Sequence, residues 1–156
     1  GRRIVTAAHV VTGCESVHVD LFDTQGGPRA LNCKVLKVDA ANDLALLEAP
    51  EQLDYAAVLG LGASRNMQIG APLLAVGASS GHTPYAATSG FLAAKFCELP
   101  GGEHLWQASP VVWFGNSGGA VFDARSCFLV GLVTRNDAPN CTYFVPVDTI
   151  AGFLEE

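Results

Sequence analysis

The chain has 156 residues, of which 49% are apolar and 15% charged, and it carries a formal net charge of −6. That composition excludes a disordered chain, and the acidic balance argues against nucleic acid or an anionic membrane surface as a partner. No window approaches the ~18 uninterrupted apolar residues that a helical span of a bilayer needs, so no membrane partner is expected.

Taken in chain order, the dominant period is two. Ile4-Val5-Thr6-Ala7-Ala8-His9 reads as an apolar strand that ends in two small residues and a histidine. Ser16 to Phe22 alternates apolar and polar residues as a half-buried strand does. Thr24-Gln25-Gly26-Gly27-Pro28 supplies turn chemistry, and Leu31 to Val38 returns with mostly alternating character. Residues 16–38 are therefore expected to form a β-hairpin. Leu44 to Leu47 is a short apolar run between Asp43 and Pro50, suited to a buried strand.

The polar stretch Gly62 to Asn66 then separates two halves. Strand-like runs recur at Pro72–Val76, Ala87–Ala93, Leu105–Ala108, Ala120–Phe122, Phe128–Thr134 and Thr142–Val147. Many short strands punctuated by turns, among 17 Gly and 8 Pro, indicate an all-β antiparallel sandwich or barrel. Only the end reads as helical. Asp148 is placed to cap a first turn, and Ile150, Phe153 and Leu154 fall on one face.

The five cysteines, at 14, 33, 97, 127 and 141, form an odd count without C-x-x-C spacing. They read as small buried hydrophobes, and neither a metal site nor any other cofactor is expected. His18, His82 and His104 lack partners at ligand spacing and read as surface residues.

Three clusters carry chemistry. A hydroxyl is a weak nucleophile at neutral pH and needs a base, a residue that orients the base, and donors for the oxyanion. Gly115-Asn116-Ser117-Gly118-Gly119 sets a serine among glycines, where the N–H groups of Gly115 and Ser117 can converge on one point. His9 ends its strand beside small neighbours that leave an imidazole room to turn. Asp43 stands at the mouth of an apolar strand, where a carboxylate can hold an imidazole N–H. Each cluster alone has a plainer reading as a turn, a surface histidine or a strand-capping aspartate. Together they follow the order His9, then Asp43 34 residues on, then Ser117 74 residues further.

The motifs Thr6-Ala7-Ala8-His9, Asp43-Leu44-Ala45-Leu46-Leu47 and Gly115-Asn116-Ser117-Gly118-Gly119 resemble those of the trypsin-like peptidases, and more closely their HtrA (Deg) branch. His9-Val10-Val11, the D-[IL]-A-L run and asparagine before the serine carry that closer likeness. Tyr85 to Gly90 resembles the T-S-G strand of those enzymes, and Phe144-Val145-Pro146-Val147 their C-terminal end. The resemblance implies two antiparallel, six-stranded-type chymotrypsin-like β-barrels, residues 1–65 and 66–156, with a short C-terminal helix. His9 and Asp43 would come from the first barrel, and Ser117 with an oxyanion hole of Gly115, Asn116 and Ser117 from the second.

The implied activity is that of a serine endopeptidase acting on proteins or peptides through an acyl-enzyme. Two alternatives keep the fold: a viral or phage polyprotein-processing protease, and a catalytically silent binding module. Carried over position by position, the family's primary pocket falls on Val111, Val112, Trp113, Phe114, Val133, Thr134, Arg135, Asn136 and Phe144. No carboxylate stands at its base, so a small or medium apolar residue is expected before the cut. Thr134 matches a position whose hydroxyl supports the catalytic aspartate in relatives, and Arg135 reads as a rim charge.

Asn116 stands where trypsin has the aspartate that pairs with a newly cut N-terminus, so that route of activation is not expected. Two strands normally precede the one that delivers the histidine, and here that strand starts within a few residues of Gly1. A missing N-terminal segment or a homo-oligomer is expected to complete the first barrel, and no PDZ-like segment follows residue 156.

Overall fold

The alternation that dominates the sequence emerges as antiparallel strands in a computed structural model that describes residues 1–23, 27–54, 60–78, 86–109, 116–138 and 141–156. The chain divides into two compact units, Gly1–Ala56 and Ala57–Glu156.

The first unit contains β1 (Arg3–Ala7), α1 (Ala8–Val11), β2 (Ser16–Asp23), β3 (Gly27–Asp39) and β4 (Leu44–Glu48). Its four strands lie in the order β1-β4-β3-β2, every neighbouring pair antiparallel. β2 and β3 form the expected hairpin, with register from Ser16↔Lys34 to Asp23↔Gly27. The turn at 24–26 lies outside the described residues. β4 sits inside the sheet between β1 and β3, and Leu44, Ala45, Leu46 and Leu47 are all buried, while β2 shows a period of two. Val11, Leu31, Cys33, Ala45 and Leu47 make the core of this unit, with Ile4, Val17 and Val35 packed against it.

The second unit begins with α2 (Leu61–Asn66) and continues through β5 (Pro72–Gly77), β6 (Ala86–Glu98), β7 (His104–Ala108), β8 (Ala120–Asp123), β9 (Leu129–Ala138) and β10 (Cys141–Pro146) to α3 (Val147–Glu155). Six strands close into a barrel in the order β10-β7-β6-β5-β8-β9. Closure removes the sheet edges that would otherwise offer unpaired backbone groups. The architecture is all-β, with an open four-stranded sheet in the first unit, a closed barrel in the second and a short C-terminal helix.

The polar stretch at 62–66 belongs to the second unit. It forms α2, and the Gly60 N–H ahead of it donates to Leu129 O (2.8 Å), tying the segment to β9. The break between units therefore falls at Ala56/Ala57 rather than at residue 65. Asp148 does not cap α3: Pro146 occupies that position without a side-chain bond. The carboxylate instead faces Ser64 Oγ and Arg65 Nε, each 3.5 Å from Oδ2. Ile150 and Phe153 are buried as the apolar face requires.

Leu73, Leu92, Trp106, Val121, Val130, Val133 and Phe144 fill the barrel. Trp106 meets Phe144 edge to face, with ring centroids 6.1 Å apart. Phe144 is fully buried. Phe144→Ala is expected to lower stability by roughly 3–5 kcal/mol through the cavity left behind. Urea denaturation checks this as a lower midpoint at unchanged slope. Of the five cysteines only Cys33 is buried, and burial pushes its thiol pKa up. Cys97 and Cys141 are half-buried, while Cys14 and Cys127 are exposed.

Candidate active site

Asp43 and His9 meet within the first unit. β1 ends at Ala7, and Ala8 to Val11 turn into one helical turn, so His9 rides on α1 and not on a strand. That turn is held from a point 34 residues away: Ala8 N–H donates to the Asp43 carbonyl (3.0 Å) and His9 N–H to Asp43 Oδ1 (2.9 Å). The other carboxylate oxygen, Oδ2, lies 2.8 Å from His9 Nδ1. One carboxylate thus grips the backbone and the ring of the same residue, which fixes the ring's orientation.

A carboxylate can only accept, so the proton of a neutral imidazole sits on Nδ1 and the lone pair on Nε2. The Asp43 side chain is 20% exposed and that of His9 52%. In that tautomer the His9 lone pair is on Nε2, the nitrogen that Asp43 does not hold. Ala7 and Ala8, the small residues before His9, are buried.

The turn that delivers Asp43 is built by Asp39. Its Oδ1 accepts from the N–H groups of Ala41 (3.0 Å) and Asn42 (3.1 Å), and its Oδ2 from the Asn42 side-chain amide (2.7 Å). Asp43 follows at φ 54°, a left-handed conformation that aspartate tolerates better than most residues. The Asn42 amide, ahead of the backbone donors, holds the Asp39 carboxyl below its ordinary pKa. A lowered folded-state pKa stabilises the turn above the usual carboxylate range, and that contribution is lost as pH falls through the lowered value. Asn42→Ala is expected to move the Asp39 titration back up towards the usual range, as a carboxyl NMR titration would read.

Ser117 stands in the second unit on a tight turn. Gly119 N–H donates to Asn116 O (2.8 Å), Gly118 N–H to Val133 O (2.8 Å), and Val133 N–H to Gly119 O (2.8 Å), so the turn is stitched to β9. Both following glycines have a steric reason. Gly118 has φ +84°, and a Cβ on Gly119 would come within 2.7 Å of Val76 O and 2.8 Å of Asn116 O. The Ser117 hydroxyl donates to Thr134 O at 3.2 Å. Asn116 is buried, its Oδ1 without a hydrogen-bond partner among the described residues.

Of the other expected site residues, Gly115, Val111, Val112, Trp113 and Phe114 lie outside the described residues, as do His82 and Tyr85. Val133 and Phe144 face each other across β9 and β10 and lie in the barrel core at 2% and 0% exposure. Thr134 is buried beside the Ser117 turn, Arg135 is half-buried and Asn136 exposed. Arg135 pairs with Glu103 (Nη1 to Oε1, 3.2 Å), a residue that sequence reasoning did not single out. A contact between positions 32 apart leaves no local signal. No group of three or more metal-ligating side chains occurs among the described residues.

The model of the trypsin-like peptidase domain family matches residues 1–132. The chain belongs to that family. This trypsin-like peptidase domain is 34% identical to a probable periplasmic serine endoprotease DegP-like of Hahella chejuensis, across 98% of the chain and 32% of that protein. It is 35% identical to the magnetosome formation protease MamE of Paramagnetospirillum magneticum, across 88% of the chain and 19% of that protein. The chain thus spans about a third or less of the length of these relatives.

Among solved structures, the HtrA-type protease AlgW with decapeptide superposes with a TM-score of 0.87 at 24% identity, over 99% of the chain and 47% of AlgW. Deg5 superposes at 0.78 and 26% identity, over 97% of the chain and 76% of Deg5. The trypsin-like fold is thereby the fold of this domain, and its likeness is to the HtrA branch.

Proposed function

We propose that this trypsin-like peptidase domain is a serine endopeptidase, with Ser117 as nucleophile, His9 as general base and acid, and Asp43 as the residue that orients His9. The observation that carries the reading is the double grip of Asp43 on His9. It leaves the imidazole one basic nitrogen, in the tautomer that acyl transfer needs.

The reaction calls for His9 Nε2 to take the Ser117 proton as Oγ attacks the carbonyl carbon of the peptide bond. Rotation about one side-chain bond releases the hydroxyl from Thr134 O for that attack. The N–H groups of Gly115 and Ser117, in the loop with Asn116, would bind the resulting oxyanion. Collapse of the tetrahedral intermediate expels the amine, which takes its proton from His9. Water then repeats the sequence on the acyl-enzyme and frees Ser117.

Asp43 stays ionised and stabilises the imidazolium formed in both halves. The Thr134 hydroxyl would support Asp43 in turn. Val111, Val112, Trp113 and Phe114 would line an apolar pocket without a carboxylate. Small or medium aliphatic residues are then favoured before the cut. One methylene in such a pocket discriminates by only about 1–3 kcal/mol, so selectivity is broad. Protein substrates fit the reading, since the HtrA-type relatives are named endoproteases.

Digestion of an unfolded protein such as casein, with mass spectrometry of the products, tests the proposal. Internal cuts after Ala, Val and similar residues are expected. An intact substrate in the presence of folded enzyme contradicts it.

A further inference from the structure

Asn116 is buried in the turn that carries Ser117, and its Oδ1 has no hydrogen-bond partner among the described residues. Packing therefore places that oxygen, and the surface it packs on is Gly77. A Cβ on Gly77 would stand 2.7 Å from Asn116 Oδ1, 3.2 Å from its Cγ and 3.4 Å from its Cα. The first of these distances lies well inside van der Waals contact. Asn116 thus fills the space that a side chain on Gly77 would need.

Gly77 ends β5 and pairs with Ala86 of β6. Its φ lies outside the left-handed region, unlike that of Gly118 at +84°. Space, and not backbone conformation, is what calls for glycine here. The far end of the turn rests on the same strand. A Cβ on Gly119 would stand 2.7 Å from Val76 O and 3.2 Å from Gly77 Cα, and Ala120, the next residue, pairs with Val76. From the other side, Val133 bonds the N–H of Gly118 and the carbonyl of Gly119. Hydrogen bonds fix the Ser117 turn to β9, and close backbone packing seats it on the end of β5.

We infer that Gly77 is a positioning residue: its missing side chain gives Asn116 a seat on β5, and that seat sets where the turn holds Ser117. The consequence for catalysis rests on the peptidase reading, whereas the seat rests on the packing of Asn116 and Gly119 against Val76 and Gly77. Asn116 is joined to Ser117 by a single peptide bond, so a displaced Asn116 carries the serine with it.

The test is Gly77→Ala, alone and combined with Asn116→Ala, which removes the Oδ1 and Cγ that the new Cβ would meet. Alone, Gly77→Ala should slow fluorophosphonate labelling of Ser117 by about ten- to a hundredfold in folded protein, because small misplacements of a reacting group are costly. The amide NMR resonances of Ser117 and Gly118 should move with it. In the Asn116→Ala background the same substitution should change the labelling rate by less than about twofold and leave both resonances in place, since the clash is gone. A merely structural role would lower the urea midpoint and leave labelling of the folded chain unchanged.

Unchanged labelling in Gly77→Ala would overturn the inference, as would a loss that persists in the Asn116→Ala background. If the parent chain or Asn116→Ala takes no label, the amide resonances decide. Movement at Ser117 and Gly118 that Asn116→Ala relieves supports the inference, and an unlabelled parent then counts against the peptidase reading alone. Resonances that stay in place overturn it. Should Gly77→Ala fail to fold, recovery of the fold in the double variant supports the inference, and loss of the fold in both overturns it.

Discussion

Ser117→Ala is expected to lower turnover on an unfolded protein substrate by on the order of 10⁶-fold, while the variant folds like the parent. The fold should survive because the hydroxyl bonds Thr134 O alone among the described residues, and the turn around it is held by backbone bonds from Gly118, Gly119 and Val133. Loss of one such side-chain bond costs about 1 kcal/mol of stability, which is small beside the catalytic effect. Parallel measurement of digestion rate and urea midpoint separates the two consequences. A variant that digests casein as fast as the parent would mean another nucleophile. A variant that fails to fold would mean the hydroxyl is structural.

Asp43→Asn is expected to lower kcat by on the order of 10⁴-fold. The carboxamide preserves the shape and tolerates the left-handed backbone at φ 54°. Its oxygen can keep the His9 N–H bond now made by Oδ1 at 2.9 Å. Its NH2 group then faces Nδ1 and can only donate, so the imidazole proton moves to Nε2, where the base is needed. Stability should change little while catalysis collapses, which distinguishes an orienting role from a strand-capping one. Ring-nitrogen NMR shifts of His9 report the tautomer directly. An Asp43→Asn variant of near-normal rate, or one with the Nδ1–H tautomer intact, would show that Asp43 is a structural turn residue.

Most of the strand pattern was legible because period two is a local property. β2 and β3 display it, and β4 shows instead a continuous buried apolar run. The end of β1 was not legible. Ala8-His9-Val10-Val11 has no composition that separates a strand from a helical turn, and bonds from Ala8 and His9 to Asp43 decide the matter across 34 residues. The segment 62–66 looked like a linker for the same reason, since its helix depends on packing near β9 and α3.

At the site, the sequence named His9, Asp43 and Ser117 from motifs. The structure joins the first two and shows why the glycines after the third are needed. The sequence could not reveal that Asp39 and Asn42 build the turn under Asp43, because Asx-type turns look alike whatever they carry. Nor could it reveal Glu103, whose partner is distant in the chain. Val133 and Phe144 were read as pocket wall from the family pattern, and closure of the barrel buries both.

Covalent labelling by a fluorophosphonate, followed by peptide mass mapping, tests most directly whether this domain carries an activated serine. The expected result is one adduct on Ser117, formed rapidly by the parent chain and lost or greatly slowed in His9→Ala. No adduct on folded protein, or labelling indifferent to His9, would contradict the account and leave a trypsin-like fold without its chemistry.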